Sequence, residues 1–299
     1  MVTIVIVSFN TRKLLLECID SISRVTVYPQ YHIVVVDNGS VDGTPEALAE
    51  SDHTTVIVNS RNLGFGAANN AAFKSRSDYF LLLNPDTILM NDVVSQFVRH
   101  SEEHRTARLG VVGAYLTDAE GRDAHSFSKQ LSPSLILREQ VMKLGGMVLS
   151  RMRRGRAARR QPHDRAAMRV DTVVGAAMFV SAEAIHRVGG FDEQYFMYHE
   201  EADLQRTLRM LGYANFVIPG PSIVHIEGQS SKSANRRRIM VHTSHLRYVR
   251  KWYGAVVYPF KLCLLFLLIA NVVIDVFKRD YPFAENWHYV ISVARERYR

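Results

Sequence analysis

The stretch Phe80-Leu81-Leu82-Leu83-Asn84-Pro85-Asp86 is an apolar run that ends on a carboxylate. Large apolar residues in succession are typical of a strand that is buried on both faces of a sheet. In open α/β sheets, ligands bind just outside the carboxyl ends of the strands, which is where Asp86 falls. A carboxylate there is a suitable ligand for a Mg²⁺ or Mn²⁺ ion that carries a diphosphate. The stretch therefore predicts an α/β fold whose ligand site includes Asp86.

The chain around this run alternates between strand and helix patterns. Continuous apolar runs that alternate with amphipathic helices predict a mostly parallel central sheet with helices on both faces. From about residue 236 the pattern predicts a helical appendage. The strands are predicted at 2–8, 33–36, 55–58, 79–83, 110–115 and 170–180, and the helices at 11–24, 66–76, 91–103 and 200–211.

Polar side chains follow the first three predicted strands. The three loops contain Ser8 and Asn10, then Asp37, then Asn62 with Gly64. Because the carboxyl ends of parallel strands meet at one edge of a sheet, we expect these residues to form a nucleotide crevice. The Asp37 carboxylate is able to accept a hydrogen bond from the imide N–H of a uracil or thymine ring. Each loop alone is also compatible with an ordinary turn, so the prediction depends on their combination.

The second half of the chain adds acidic and metal-binding side chains. Glu200 and Glu201 enter a predicted helix, and His225 follows a short strand. Gly175 makes a small-residue step in a predicted strand, where a ligand is able to approach the backbone closely. His225 is a candidate to complete a metal site with Asp86, although a lone histidine is more often structural.

Positive charge is concentrated in two segments of a chain whose net charge is +8. Residues 151–169 contain eight arginines against one acid, and residues 236–238 are all arginine, ahead of the apolar segment 256–277. Arginines beside apolar sequence favour an anionic membrane surface or an anionic substrate. The alternative for 151–169 is a solvated loop. Segment 256–277 is too interrupted to predict a membrane span, and its alternatives are packing on the catalytic domain or on a second subunit.

The N-terminal sequence and the cysteine content indicate the cellular compartment of the protein. The chain opens as a strand, without a basic n-region or a small-residue cleavage site, which argues against an ordinary signal peptide. Its two cysteines make no disulfide framework. Both features lead us to expect a cytoplasmic protein.

Seven short motifs follow one another along the chain. They are Ser8-Phe9-Asn10, residues 36–44, Asn62-Leu63-Gly64-Phe65, Asn84-Pro85-Asp86, residues 189–193, Glu200-Glu201-Ala202-Asp203-Leu204 and His225-x-x-Gly228. In this order they resemble family 2 glycosyltransferases, most of all the bacterial rhamnosyltransferase-like branch. The resemblance covers residues 2–253 and implies the GT-A fold of the enzymes that use nucleotide sugars.

The resemblance also implies a domain organisation. Residues 1–235 match the GT-A catalytic domain, with a nucleotide-binding half at about 1–105, an acceptor half at about 106–235 and the Arg-rich loop 151–169 within it. Residues 236–299 form a C-terminal helical region for a membrane-surface or dimer contact.

Residue by residue, the resemblance implies a role for each candidate. Asp86 and His225 would hold the Mg²⁺ or Mn²⁺ ion. Glu201 matches the general base, which is usually an aspartate in the family, and Glu200 is the fallback. The nucleotide sugar would be bound by Ser8, Asn10, Asp37, Asn62, Gly64, Asn70, Asn84, Asp86 and Gly175.

These roles predict an inverting transferase for cell-envelope polysaccharide biosynthesis. The donor would be a dTDP- or UDP-activated sugar such as L-rhamnose, and the acceptor a glycan or a polyprenyl-diphosphate-linked glycan. We expect peripheral attachment to the inner face of the plasma membrane, and either a monomer or a homodimer. The alternatives are a sugar-1-phosphate nucleotidyltransferase, a catalytically dead scaffold, and a basic nucleic-acid-binding protein. Binding to nucleic acid would leave Asp86, Glu200 and Glu201 unexplained, so we expect none.

Overall fold

The computed structural model describes residues 1–48, 54–149, 165–226, 234–278 and 283–296. Strands and helices alternate through the first half, as the apolar pattern predicts. The strands are β1 (Val2–Ser8), β2 (Tyr31–Asp37), β3 (Thr54–Val58), β4 (Tyr79–Leu83), β5 (Thr87–Leu89), β6 (Leu109–Thr117), β7 (Phe127–Ser128), β8 (Met168–Val170), β9 (Thr172–Val173), β10 (Ala177–Ser181) and β11 (Ala214–His225). The helices are α1 (Arg12–Val25), α2 (Thr44–Leu48), α3 (Phe65–Ala72), α4 (Val93–Glu103), α5 (Pro133–Leu149), α6 (Ala182–Val188), α7 (Glu200–Met210), α8 (Ala234–Tyr253), α9 (Val257–Lys278) and α10 (Phe283–Arg295).

The main sheet has the strand order β3-β2-β1-β4-β10-β6-β11-β5, and β8 pairs with β11. Strands β3, β2, β1 and β4 are parallel to one another, and β6 is parallel to β11. β10 runs antiparallel to both of its neighbours, β4 and β6. The predicted α/β class with a mostly parallel central sheet is confirmed.

The side-chain alternation of β4 explains why its apolar run forms a central strand. Leu81 and Leu83 lie in one hydrophobic cluster with the α1 and α4 side chains, whereas Phe80 and Leu82 lie in the cluster on the opposite face. Successive side chains of a strand point to opposite faces of the sheet. A strand without polar residues therefore requires other elements to pack against both faces. Each fully buried Leu or Phe contributes about 1.5–3 kcal/mol to stability.

The chain divides into two compact units. The first contains residues Met1–Gln130, Arg159–Phe196 and Glu200–Ser230, and therefore the whole main sheet. The second contains Leu131–Ala158, Met197–His199 and Ser231–Arg299. Its core joins α5, α8, α9 and α10 through side chains such as Ile136, Leu246, Leu264 and Val290.

One local prediction is wrong, and one helix was missed. The strand predicted at 170–180 is broken into β8, β9 and β10, because Thr172–Val173 leaves the main sheet to pair with Phe127–Ser128. Asp171 at the break accepts hydrogen bonds from Gln130 N and from Arg209. Helix α5, in contrast, was not predicted. Most of the Arg-rich loop predicted at 151–169 lies outside the described residues, since only 165–169 are described.

Candidate active site

Asp37 lies at the carboxyl edge of the sheet, where β2 ends in register with Ser8 of β1 and Val58 of β3. Its side chain is fully buried. Oδ2 accepts hydrogen bonds from the N–H groups of Gly39 (3.1 Å) and Ser40 (3.0 Å), which fixes the carboxylate. Oδ1 is buried and accepts no hydrogen bond. A buried acceptor without a donor costs about 1–3 kcal/mol, so Oδ1 is well suited to receive an N–H group from a ligand.

The loops beside Asp37 are braced by asparagines. Asn10 adopts a φ of 54° and connects the first loop to the second, since its N–H donates to Ser40 Oγ (2.9 Å) and its Oδ1 accepts from Val41 N (2.9 Å). Sequence reasoning missed Asn38, whose Nδ2 donates to the Gly64 carbonyl (3.1 Å). The structure therefore assigns Asn10 a bracing role in the crevice, and its contact with a nucleotide stays a prediction. Ser8, also predicted, is buried with its Oγ 2.9 Å from Thr11 Oγ1.

Gly64 lies at a close backbone approach. It has a φ of +91°, and a Cβ atom there would stand 2.1 Å from the Phe196 carbonyl oxygen. Any larger residue would displace this backbone. Asn62 sets the turn by accepting a hydrogen bond from Gly64 N (2.9 Å).

Asn70 clamps the loop that precedes α7. Its Oδ1 accepts from Phe191 N (2.8 Å), while its Nδ2 donates to the Phe191 carbonyl and to Glu193, both at 2.9 Å. These contacts hold a loop in place, and the predicted contact of Asn70 with the nucleotide stays untested.

Asp86 and His225 are brought together by the antiparallel pairing of β5 with β11, in which His225 stands opposite Thr87. His225 Nε2 lies 3.4 Å from Asp86 Oδ1, and both side chains are almost buried. The turn at Asn84 is fixed by its carbonyl, which accepts the Thr87 hydroxyl (2.7 Å), and by its N–H, which donates to Ala176 O (3.0 Å).

This pair fits a divalent cation. Oδ1 of Asp86 is buried and accepts no hydrogen bond, and a carboxylate oxygen with a neutral imidazole nitrogen is an ordinary ligand combination for Mn²⁺. Across the described residues, no group of three or more His, Cys, Asp or Glu side chains could hold a metal ion. A metal held by Asp86 and His225 would have further coordination positions, which the oxygens of a donor diphosphate and of water are suited to fill.

Glu200 and Glu201 open helix α7. Glu200 is buried and its Oε2 accepts no hydrogen bond, so burial, and then the charge of Glu201, raise the pKa of Glu200 well above its usual range. Glu201 is partly exposed. Burial therefore favours the protonated form of Glu200, and the less buried Glu201 is the better placed of the two carboxyl groups to act as a base.

Glycines bring this acidic pair to the edge of the nucleotide crevice. A Cβ atom at Gly175 would lie 4.0 Å from Glu201 Cγ and 3.9 Å from the Phe65 ring. A Cβ atom at Gly66 would lie 3.7 Å from Glu200 Cβ. The start of α3, which follows the Asn62–Gly64 turn, therefore packs beside the start of α7.

Comparison with known proteins identifies a family and several similar chains. The model of the family "Glycosyl transferase family 2" matches residues 3–164. The N-acetylglucosaminyl-diphospho-decaprenol L-rhamnosyltransferase of Mycobacterium tuberculosis is 27% identical over 241 residues, which are 76% of this chain and 76% of that protein. Rhamnosyltransferase WbbL of Escherichia coli is 25% identical over 259 residues, covering 74% of this chain and 92% of the relative.

A solved structure shares the fold. The mannosyltransferase PcManGT of Pyrobaculum calidifontis, in complex with GDP-Man and Mn²⁺, aligns with a TM-score of 0.57 over 98% of this chain and 85% of its own, at 17% identity. The sheet, the sequence motifs and these matches agree, and the chain belongs to glycosyl transferase family 2, as a glycosyltransferase of the rhamnosyltransferase-like branch with the GT-A fold.

Proposed function

We propose that this glycosyltransferase moves L-rhamnose from a dTDP- or UDP-activated donor to a hydroxyl group of a polyprenyl-diphosphate-linked glycan, with inversion. The observation that carries the proposal is the acidic pair at the start of α7, where burial favours the protonated form of Glu200 and Glu201 is the less buried carboxylate. The rhamnosyltransferase relative, whose name specifies a diphospho-decaprenol-linked N-acetylglucosamine, supports this sugar and this acceptor.

The chemistry assigned to the site is a direct displacement at the anomeric carbon. Glu201 takes the proton of the acceptor hydroxyl as the oxygen attacks, so the carboxylate acts as general base and forms no covalent bond to the sugar. Asp37 binds the base of the donor through its open Oδ1. Asp86 and His225 would hold a Mg²⁺ or Mn²⁺ ion, which would stabilise the negative charge that develops on the leaving diphosphate.

A screen of nucleotide sugars tests the proposal. The purified protein is incubated with dTDP-rhamnose, UDP-N-acetylglucosamine, UDP-glucose and GDP-mannose, each with and without a prenyl-diphospho-N-acetylglucosamine acceptor. We expect nucleoside diphosphate release with dTDP-rhamnose, dependent on the acceptor. Release from GDP-mannose alone would contradict both the donor and the role of Asp37.

Asp37→Ala is expected to weaken nucleoside diphosphate binding by about 10- to 100-fold, which corresponds to one lost charged hydrogen bond. The turnover number should change much less, because the contact to the base exists in the ground state and the transition state alike. Calorimetric titration with dTDP measures the affinity. Asp20→Ala, on the exposed face of α1, is the matched control. An unchanged affinity for Asp37→Ala would exclude the base-binding role.

We also propose that α9 attaches the enzyme to the cytoplasmic leaflet of an anionic membrane. Its buried face supplies the second unit's core, yet large apolar side chains also line its other face, with exposed fractions between 39% and 71%. The exposed residues follow helical spacing at Tyr258, Leu262, Phe266, Ile269 and Val273. By length and composition, the helical stretch Asn235–Ile274 would be able to cross a membrane, and 28% of its most apolar window is buried.

Charge favours a lipid surface as the occupant of this exposed face. Arg236, Arg237, Arg250 and Lys251 are exposed on α8. A basic residue near an anionic leaflet contributes about 1 kcal/mol, and the apolar side chains add to that by partitioning into the interface.

Flotation with phosphatidylglycerol-containing vesicles tests this attachment. We expect binding that weakens as salt is raised, and Leu262→Ser/Phe266→Ser should lose most of it while sugar transfer to a soluble acceptor analogue persists. Val41→Ser, an exposed apolar residue outside the second unit, is the control. If wild type fails to float at low salt and elutes as a dimer, the face is instead a subunit interface.

A further inference from the structure

Three histidines form a compact cluster in the second unit. The His199 and His245 rings stack with centroids 4.4 Å apart, and the His242 and His245 centroids are 5.4 Å apart. The Nδ1 atoms of His242 and His245 are separated by 3.3 Å, and both side chains are buried. None of these residues has a place in the catalytic scheme above.

The charged groups that act on this cluster are cationic. Burial lowers the pKa of His199 to about 4, and burial followed by the charges of Lys143, Arg238 and His199 lowers that of His242 to about 3. Burial, His199, His242 and Lys143 likewise lower the pKa of His245 well below its usual range. The three imidazoles are therefore neutral at pH 7, with Lys143 from α5 and Arg238 from α8 close enough to repel their protons.

Tyr289 of α10 lies beside the histidine cluster. Its ring centroid lies 5.7 Å from that of His242, and the Arg238 guanidinium lies 5.8 Å from the Tyr289 ring. Burial also raises the pKa of Tyr289, so its hydroxyl stays protonated at pH 7. The elements around the cluster thus provide cations and hydrogen-bond donors.

Two buried side-chain nitrogens of the second unit, one of them in the cluster, make no hydrogen bond. His199 Nε2 is buried without a hydrogen bond, and so is the side-chain nitrogen of Gln140. Gln140 precedes Lys143 by three residues in α5, so the two lie on the same side of that helix. Buried polar groups are nearly always paired, and an acidic ligand would satisfy these donors.

The backbone at His199 is held in an unusual conformation. Tyr198 and His199 have φ values of 72° and 70°, in the left-handed region that residues other than glycine seldom adopt. Met197 is tied to α8 by its carbonyl, which accepts the Ser244 hydroxyl (2.8 Å). Such strain persists only where the surroundings fix it, and it concentrates at ligand-binding sites. His199 is also the residue directly before Glu200 in the chain.

We propose that His199, His242 and His245, together with Lys143 and Arg238, bind the diphosphate group of the lipid-linked acceptor. This inference rests on the proposed function, since it takes the acceptor to be diphosphate-linked. The anion brings negative charge to the cations Lys143 and Arg238, and it accepts the hydrogen bonds that the buried nitrogens are able to donate. The proposed general base, Glu201, follows His199 by two residues in the chain.

Binding should take up protons, because an anion among neutral imidazoles stabilises their charged form. We therefore expect affinity to rise as pH falls, by up to about tenfold per pH unit for each proton taken up. Full-length protein is titrated calorimetrically with inorganic pyrophosphate, farnesyl diphosphate and farnesol at pH 6.5 and 7.5. Chelator is present and nucleotide absent, so that the Asp86 site does not contribute.

The variants distinguish the cluster from other anion sites. Lys143→Gln changes an exposed side chain, so the fold should tolerate it. His199→Asn introduces asparagine, a residue that tolerates the left-handed backbone conformation at this position. Each should weaken farnesyl diphosphate binding by about tenfold or more, since charge-assisted hydrogen bonds are the strong ones. Lys74→Gln, at an exposed lysine outside the second unit, is the matched control and should bind as wild type does.

Three outcomes decide the inference. Wild-type affinity and pH dependence in both Lys143→Gln and His199→Asn would overturn it. Pyrophosphate that binds as tightly as farnesyl diphosphate would overturn the lipid-linked source, because the prenyl chain would then add nothing. Cluster-dependent binding of farnesyl diphosphate supports the inference even if no sugar reaches a diphosphate-linked acceptor, and in that case the proposed function alone fails.

Discussion

Replacing Glu201 by glutamine is expected to lower sugar transfer by about 10²- to 10⁴-fold, the usual contribution of a positioned general base. Glutamine keeps the size and the hydrogen bonding of the side chain but is unable to take a proton from the acceptor. Affinity for the donor should barely change, because nucleotide binding is assigned to Asp37 and the metal pair. Single-turnover transfer from dTDP-rhamnose measures the rate, and calorimetry with dTDP measures the affinity.

Glu200→Gln is the matched control, because glutamine resembles the protonated acid that burial favours at this position. We expect transfer to stay within about tenfold of wild type. A carboxyl whose pKa is higher in the folded state binds protons more tightly there, so folded wild type loses stability as pH rises above the ordinary carboxyl pKa. Thermal unfolding of Glu200→Gln should lack this loss between pH 5 and 8. If Glu200→Gln abolishes transfer and Glu201→Gln does not, Glu200 is the base.

Asp86→Ala is expected to abolish transfer, with a loss on the order of 10³-fold or more, since a metal supplies several kcal/mol of charge stabilisation. The fold should survive, because Asp86 Oδ1 accepts no hydrogen bond, so removing that oxygen breaks none. Mn²⁺ titration in the presence of dTDP, followed by electron paramagnetic resonance, should show weakened metal binding. His225→Ala should weaken it less, because the carboxylate remains.

Asp92→Ala, six residues further along, separates loss of metal from loss of structure. Asp92 caps α4 by accepting a hydrogen bond from Ser95 N (3.2 Å), and removing such a cap costs about 1 kcal/mol of stability. Its melting temperature should fall while metal dependence stays unchanged. Full turnover of Asp86→Ala in chelator-treated buffer would refute the metal assignment.

The α/β class was predictable because local apolar periodicity reports burial directly. The run at residues 79–83 has no polar residue, so it had to be covered on both faces, and it is the strand β4 between the two core clusters. The prediction of one continuous strand at 170–180 was wrong because strand pairing there depends on non-local contacts. Val170 and Val173 satisfy the same apolar pattern, but whether neighbouring residues pair with β11 or with β7 depends on strands distant in sequence.

In the candidate site, too, some properties were predictable from the local sequence and others depended on tertiary contacts. The types and order of the chemical groups were evident, since Asp37 and Asp86 each follow a strand and the acidic pair opens a helix. The raised pKa of Glu200 was not evident, because it arises from burial that packing alone creates. Asn38 and Asn70 likewise showed no signal for bracing, as their partners lie 26 and 121 residues away.

The sequence by itself thus determined the fold class, the family motifs and which carboxylates reach the sheet edge, because side-chain period and strand ends are local properties. Only the tertiary structure decided which of two adjacent glutamates is buried with a raised pKa, and which oxygen of Asp37 accepts no hydrogen bond. It alone brought together His199, His242 and His245 with Lys143, which come from segments separated by more than forty residues. Desolvation and long-range charge act through space, so the pKa values of these groups follow from folding and not from neighbours along the chain.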